Sequence, residues 1–245
     1  WKDSVANIQD TGEFVWNLAT MDLAKHMNAT AAHVARDVDE FKLAGLTQVL
    51  LMPALAWVVV KGTPDPKSRL VQLVLLAIGL SWLGDTLPRF VDGESDLGFG
   101  LMLGAFFLAQ LAYVAAFLPF VGRSILRTRP ALVAPYLCAL VLVLWVSSGA
   151  PQTFLTGVGI YGITIIAMAV LASGLDRVAA TGAILFLVSD ALIAVRALGG
   201  LEMPLHGLWV TLTYLAAQSL IVLAVAHHER ATVVHDEPAE AVLQA

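Results

Sequence analysis

From residue 47 onward the chain is a succession of long apolar runs separated by short clusters of Gly, Pro and charged residues. The runs do not alternate between apolar and polar positions as barrel strands would, and a backbone in lipid must satisfy its own hydrogen bonds, so they predict transmembrane helices. Seven runs are close to the length of about 20 residues that a bilayer core requires, although the first and fourth are short. Their predicted limits are 43–60, 70–87, 97–118, 132–146, 153–172, 178–195 and 205–226.

The composition fits a chain whose main solvent is lipid. Of its 245 residues, 58% are hydrophobic and 13% are charged, and the mean hydropathy is +0.79. This balance is too apolar for a soluble domain and is typical of a multi-pass membrane protein. We therefore expect a protein of the cell membrane whose partner is the lipid bilayer. The chain has no basic patch, and we expect no nucleic acid partner.

The first part of the chain differs in kind from the rest. Residues 1–46 are polar and acidic, with a helix-like pattern at 4–9 and a strand-like one at 13–18. We predict an all-α fold, a multi-pass bundle of about seven transmembrane helices over residues 47–228, preceded by a short partial α/β-like fragment. The acidic residues near the end predict a solvated, disordered tail over residues 229–245.

Charged residues between the apolar runs predict an orientation. One set of loops carries most of the Lys and Arg residues of the membrane region, whereas the opposite loops offer only Arg89 and Arg196 beside several acids. Positively charged loops usually stay in the cytoplasm, so the C-terminus is expected to be cytoplasmic. With seven spans, residues 1–46 would then lie on the outer side.

Two carboxyl groups interrupt the apolar runs, Asp85 in the second and Asp190 in the sixth. An aspartate near the middle of a membrane helix costs roughly 2.5 to 3.5 kcal/mol, so such residues usually face a protein interior and mark a site. Arg89 follows Asp85 by one helical turn, which leaves open a simple intrahelical pair that caps the span. Asp190 has no cation at such a spacing. We expect the two carboxyl groups to meet in one pocket.

Other polar side chains recur at helical spacing in the neighbouring spans. Each alone is typical of an interhelical hydrogen bond, whereas together with the two acids they predict a polar cavity. These residues are Gln110 and Tyr113 in the third span, Tyr161 and Thr164 in the fifth, and Thr211, Tyr214 and Gln218 in the seventh.

The residues that the spans lack exclude several cofactor-dependent chemistries. All five Lys residues lie outside the spans, so no retinal Schiff base is expected. The His residues of the membrane region are His206 and the juxtamembrane His227 and His228, which are too few for a three-histidine zinc site. The single cysteine, Cys138, excludes an intrachain disulfide, and we expect it to be buried. We expect no metal and no cofactor, so any catalysis depends on carboxylates.

A pattern in the N-terminal stretch covers residues 2–3, 7–8, 11–15, 17–18, 27–30 and 39–41. It resembles an internal portion of the flavin reductase-like, FMN-binding split-barrel family. The match covers about a third of what such a barrel needs, and a barrel without most of its strands leaves open edges and cannot enclose a flavin. Flavin binding is therefore not expected.

An ordered set of residues in the membrane region carries a second resemblance. The set is Leu83, Gly84 and Asp85, then Gly100, Leu101, Phe106 and Tyr113, then Tyr161 and Met168, then Gly182, Ala183, Phe186, Ser189 and Asp190, and last Tyr214 and Gln218. In this order it resembles the YhhN family of lysoplasmalogenases. Two positions depart from the family pattern, since Met52 precedes Pro53 where the family has Lys, and Gln110 stands where it usually has His. The first of the family's usual eight spans has no counterpart, and residues 1–46 take its place.

The resemblance implies hydrolysis of the vinyl ether bond of lysoplasmalogens to a fatty aldehyde and a glycerophospho-headgroup alcohol. Protonation of the alkene carbon makes an oxocarbenium ion to which water adds, so the reaction needs one proton donor and one anion. Two clustered carboxyl groups meet this need, because one can keep a proton while the other is ionised. We therefore predict Asp85 and Asp190 as the catalytic pair, with either one as the acid.

Further residues are predicted to bind or orient the lipid substrate or the attacking water. Ser189 is expected to hydrogen-bond one of the acids, and either Arg89 or Arg123 to meet the phosphate. The remaining orienting residues are Gln110, Tyr113, Tyr161, Tyr214 and Gln218. The alternatives are a non-enzymatic membrane carrier or proton-coupled transporter that uses the same two acids, an inactive relative of the family and, last, a flavin-dependent bifunctional enzyme.

Overall fold

A computed structural model describes the backbone of residues 40–91, 96–201 and 203–243, and the side chains of residues 49–91, 96–201 and 203–232. Within these ranges the chain is α-helical with three short 3-10 turns and contains no strand, so the predicted all-α fold is confirmed there. The helices are α1 (Glu40–Gly62), α2 (Arg69–Thr86), α3 (Asp96–Phe117), α4 (Ile125–Thr128), α5 (Ala134–Val146), α6 (Gln152–Ala172), α7 (Arg177–Ala197) and α8 (His206–Leu243).

Each predicted apolar run coincides with a helix. Five of them are long and apolar enough to cross a membrane, and Val49–Gly62 and Pro130–Val146 are shorter apolar segments within the part of the chain whose side chains are described. The fourth run gives the short helix α5 of 13 residues, as its sequence length predicted, whereas the first run lies in α1, which extends over 23 residues. The five longer spans are Arg69–Phe90, Asp96–Thr128, Gln152–Ala172, Arg177–Ala197 and His206–Thr232.

The chain divides into two compact units, residues 1–47 and residues 48–245. The flavin reductase-like pattern falls in the first unit, and its residues 1–39 lie outside the described part of the chain. Residues 40–46 form the first turns of α1. The partial α/β-like fragment therefore stays a prediction, and the second unit contains the helices that build the site.

Small residues bring the helices of the bundle close together. At Gly182 on α7, an added Cβ atom would lie 2.9 Å from the backbone oxygen of Ala217 on α8. At Gly84 on α2, it would lie 2.8 Å from the ring of Phe106 on α3. Such contacts need glycine because helices in lipid gain stability mainly from close packing. They hold α7 against α8, and they hold α2 against α3 at the residue next to Asp85.

Helix α8 differs from the predicted end of the bundle, because it continues past residue 229, where a disordered tail was expected. Glu229 is only 9% exposed and accepts a hydrogen bond of 2.8 Å from the Ser68 hydroxyl. Arg230 donates through Nε to the backbone oxygen of Gly62 at 2.8 Å. Glu229 and Arg230, the first two residues of the predicted tail, are thus bound to the end of α1 and the connection that follows it.

Helix α5 is the most peripheral of the apolar helices with fully described side chains, since none of its residues is fully buried. Cys138 on this helix is exposed, so the expectation of a buried thiol was wrong. The outer face also carries Val141 and Trp145, which are 66% and 71% exposed. Apolar side chains on such a face suit contact with acyl chains. Because lipid-facing and buried positions both carry apolar residues, the sequence alone did not distinguish them.

Candidate active site

A cavity of about 360 Å³ lies between α2, α3, α7 and α8. Its walls combine apolar side chains with a few polar ones, as is usual for small-molecule sites. The lining residues are Gly84, Asp85, Pro88, Arg89, Val91, Met102, Phe106, Ser189, Asp190, Ile193, Val210 and Tyr214. The structure therefore brings Asp85 and Asp190, from the second and sixth predicted spans, to one cavity.

Asp85 reaches the cavity from the last turn of α2, where it is half-buried. Its Oδ2 atom accepts a hydrogen bond of 2.9 Å from the hydroxyl of Tyr214 on α8. Arg89 donates through Nε to the backbone oxygen of Asp85 at 2.9 Å, and its positive charge also acts on the Asp85 carboxyl group. The predicted contact between Asp85 and Arg89 is therefore present, and both residues also line the cavity.

Asp190 reaches the cavity from α7, about two turns before the end of that helix, and is also half-buried. Its Oδ2 atom accepts a short hydrogen bond from the hydroxyl of Tyr161 on α6. Each acid is therefore held by a tyrosine from a different helix, and the charges of the two carboxyl groups act on each other. Two carboxyl groups that line one cavity repel each other when both are ionised, and protonation of either one relieves this repulsion.

Ser189 lines the cavity, but its hydroxyl does not make the hydrogen bond to an acid that the sequence predicted. Its hydroxyl donates to the backbone oxygen of Val210 on α8 at 3.1 Å. Consecutive helix positions point about 100° apart, so the residue before Asp190 faces the neighbouring helix instead. Ser189 thereby ties α7 to α8 at the level of the site.

Tyr113 and Gln218 do not line the cavity but form a buried network behind it, in which Gln218 also interacts with Tyr214. The Tyr113 hydroxyl donates to Gln218 Oε1 at 2.6 Å, and Gln218 Nε2 donates to the Ser81 hydroxyl at 3.2 Å. All three side chains are fully buried. Gln218 lies one helical turn beyond Tyr214 on the same face of α8, which explains why helical spacing alone grouped it with the site.

The two departures from the family pattern both lie behind the acids. Met52 is fully buried, with its sulfur 3.6 Å from the Tyr214 hydroxyl that binds Asp85. Gln110 is also fully buried and lies beside the Tyr161 hydroxyl that binds Asp190. Neither amide atom of Gln110 makes a hydrogen bond of acceptable geometry with the described residues.

Several residues of the cavity wall were not predicted as site residues. Met102, Ile193 and Val210 are apolar positions in apolar runs, so nothing in the sequence distinguished them. Phe106 is the exception, because it formed part of the family resemblance. Its ring packs over Gly84 and edge-to-face against Tyr214 at 5.8 Å, and it separates the cavity from the core. Among the described residues, no three His, Cys, Asp or Glu side chains are grouped so as to hold one metal ion.

The fold and the cavity define a class of protein, a multi-helix bundle of membrane type with two tyrosine-bound carboxyl groups in one polar cavity. The family model described as the YhhN family matches residues 43–225, and the chain belongs to this family. An uncharacterized protein of Methanothermobacter thermautotrophicus is 47% identical over 47 residues, which are 19% of this chain and 22% of that protein. This chain therefore spans about a fifth of that curated relative. No solved structure matches.

Proposed function

We propose that this protein is a membrane hydrolase that cleaves the vinyl ether bond of lysoplasmalogens, releasing a fatty aldehyde and a glycerophospho-headgroup alcohol. One observation carries the proposal, the shared cavity in which Asp85 and Asp190 each accept a hydrogen bond from a tyrosine. Membership of the YhhN family supports it. We place the protein in the cell membrane with a cytoplasmic C-terminus.

The reaction needs a proton donor and a base on the same substrate, and the two acids supply both. In the first step the protonated carboxyl group gives its proton to the alkene carbon that is not bonded to oxygen. This leaves an oxocarbenium ion at the other alkene carbon, which is bonded to oxygen. The second carboxylate takes a proton from the water that attacks this carbon, and a hemiacetal forms.

The hemiacetal then collapses. Its hydroxyl proton returns to the first carboxylate, the second carboxyl group protonates the ether oxygen, and the bond between carbon and that oxygen breaks. One water is consumed, the aldehyde and the alcohol leave, and both carboxyl groups end as they began. Tyr161 and Tyr214 position the acids throughout, because each donates a hydrogen bond from a ring fixed by the core.

The lipid headgroup has a matching cation at the cavity wall. Arg89 lines the cavity, and its guanidinium suits the phosphate of a lysophospholipid. Arg123, the other residue considered for this role, has its guanidinium carbon 5.3 Å from the centre of the Phe120 ring and does not line the cavity. We therefore assign the phosphate contact to Arg89.

The direct test follows aldehyde release from a lysoplasmalogen in membranes that contain the protein. Asp190→Asn and Asp85→Asn are each expected to lower the rate by about 100- to 10,000-fold, the usual contribution of a positioned acid or base. Asp96→Asn is the matched control, since Asp96 is an exposed acid at the start of α3. Equal rates for wild type and both cavity variants would refute the assignment.

A carrier or proton-coupled transporter remains the alternative that the same two acids favour, because intramembrane carboxyl groups also serve as proton or cation sites. Uptake driven by a proton gradient into vesicles, with no aldehyde formed, would support this alternative. An inactive relative of the family would show neither activity.

A further inference from the structure

Two narrow apolar clefts adjoin the cavity at Asp190, and neither is lined by Arg89. The first, of about 40 Å³, lies between α3, α6 and α7 and is lined by Phe99, Met102, Leu103, Val158, Ile193 and Ala194, among others. The second, of about 50 Å³, lies between α5, α6 and α7 and is lined by Tyr136, Leu140, Val143, Gly162, Ile165 and Ala194, among others. We refer to the two clefts together as the apolar channel.

The two clefts adjoin the cavity at Asp190, which lines all three spaces. The first cleft shares Met102, Phe106 and Ile193 with the cavity, and the two clefts share a wall that contains Val158, Tyr161 and Ala194. Asp190 therefore lies where the cavity meets two spaces with almost wholly apolar walls.

The far end of the channel lies beside α5, the helix without a fully buried residue. Its cleft-lining residues Tyr136, Leu140 and Val143 are half-buried, and the neighbouring Val141 and Trp145 are exposed. In a bilayer this face meets acyl chains, because its exposed side chains are apolar. The second cleft thus lies between the lipid-facing helix α5 and Asp190.

We propose that the apolar channel holds the single hydrocarbon chain of the substrate, which enters sideways from the bilayer and places its first carbon atoms beside Asp190 while the headgroup lies in the cavity with Arg89. This inference rests on the proposed function, because it assigns the chain subsite of that lipid. The narrow apolar walls suit an unbranched hydrocarbon chain better than a helix or an extended peptide. A helix with side chains is about 10 to 12 Å wide, and any peptide would bring backbone polar groups that these walls cannot satisfy.

The inference makes Ala194 a determinant of chain-length selectivity. This residue is 8% exposed and lies where the two clefts share a wall, one turn after Asp190. Ala194→Phe would fill that position, so the ratio of kcat/KM for a long-chain to a short-chain lysoplasmalogen is expected to fall by roughly tenfold or more. Ala194→Val is expected to lower the ratio by less, which keeps the test valid where the larger side chain disturbs folding.

Ala197→Phe is the matched control, because Ala197 lies on the same helix, is exposed and lines none of the three spaces. For the Ala197→Phe variant, the ratio of kcat/KM for the long-chain to the short-chain lysoplasmalogen is expected to equal that of the wild type. An unchanged ratio in both Ala194 variants, or an equal change in the Ala197 variant, would overturn the assignment of the channel.

A second experiment does not depend on catalysis. A saturated ether lysophospholipid with a photoreactive diazirine in mid-chain lacks the alkene, so it can occupy the site without being cleaved. In vesicles of diacyl phosphatidylcholine it is expected to label the channel residues Leu103, Val143 or Val158, and excess unlabelled lysophospholipid is expected to suppress this labelling. Labelling spread over outward residues such as Val141 and unaffected by competitor would overturn the proposal.

The two experiments also separate the inference from the proposed function. Suppressible labelling of the channel in a protein that releases no aldehyde would refute the hydrolase and keep the chain subsite. Aldehyde release with no suppressible labelling would keep the hydrolase and refute the chain subsite.

Discussion

Tyr214 on α8 and Asp85 on α2 are joined by a hydrogen bond of 2.9 Å, in which the tyrosine hydroxyl donates to Oδ2 of the acid. The tyrosine ring is fixed edge-to-face by Phe106 at 5.8 Å and by Phe186 at 5.5 Å between ring centroids. A rigid aromatic cluster thus sets the position of one carboxyl group in the cavity.

Tyr214→Phe removes this hydrogen bond and keeps the ring, so it is expected to lower aldehyde release by roughly 10- to 100-fold, the worth of one hydrogen bond to a charged group. Steady-state rates in membranes measure the effect. Thr213→Val is the control, since the Thr213 hydroxyl on the same helix bonds to the backbone oxygen of Trp209 and does not line the cavity. It is expected to leave the rate near that of the wild type, and equal losses in the two variants would argue against a positioning role for Tyr214.

Gly84→Ala is expected to reduce both stability and activity. The new Cβ atom would lie 2.8 Å from the Phe106 ring, so the ring must move into the cavity or α2 must move away from α3. Overpacking of this kind costs about 1 to 3 kcal/mol, which thermal unfolding in detergent can detect. At Gly79 on the same helix an added Cβ meets nothing within 4 Å, so Gly79→Ala is expected to leave the unfolding midpoint unchanged or raise it. A lower midpoint in both variants would contradict the packing explanation.

Gln110→Leu is expected to stabilise the protein by about 1 to 3 kcal/mol, because it replaces a buried amide that has no hydrogen-bond partner among the described residues. The matched variant Gln218→Leu is expected to destabilise it, since that amide binds both Tyr113 and Ser81. Unfolding midpoints of the two variants should therefore move in opposite directions. A drop in both would indicate that Gln110 makes a contact essential to the fold.

Glu229→Ala is expected to loosen the end of α8 from the connection between α1 and α2. The change removes the acceptor of the Ser68 hydroxyl, whose oxygen also caps the start of α2 by accepting a hydrogen bond from the backbone N–H of Val71. Limited proteolysis should therefore cleave the chain near residue 229 faster than in the wild type. His227→Ala is the control, because His227 is exposed on the same turn. The interpretation fails if both variants are cleaved at the wild-type rate.

The positions of the helices and of the two acids could be predicted from the sequence because both follow from the bilayer. Long apolar runs must become helices in lipid, and Asp85 and Asp190 stand out because a carboxyl group in such a run is costly. Helical spacing correctly selected Tyr214 and Tyr161 as polar residues on inward faces. Their pairing with particular acids depends on which helices are neighbours, which periodicity does not contain.

The remaining differences between prediction and structure also depend on which helices are neighbours. Gln218 and Tyr214 share one face of α8, yet only Tyr214 reaches the cavity, because depth along a helix is set by its partner helices. Cys138 is apolar in context but outward in the bundle, since lipid tolerates the same side chains as a protein core. Glu229 looked like part of a solvated tail until the fold brought Ser68 to it.

The hydroxyl of Tyr214 has one hydrogen to give and two acceptors within reach, Oδ2 of Asp85 at 2.9 Å and the sulfur of Met52 at 3.6 Å. If Asp85 gains and loses a proton as the proposed mechanism requires, its own O–H can donate to the phenol oxygen while the phenol hydrogen turns to the thioether. Rotation of one hydrogen atom then accommodates each change of protonation, and no movement of the backbone is needed.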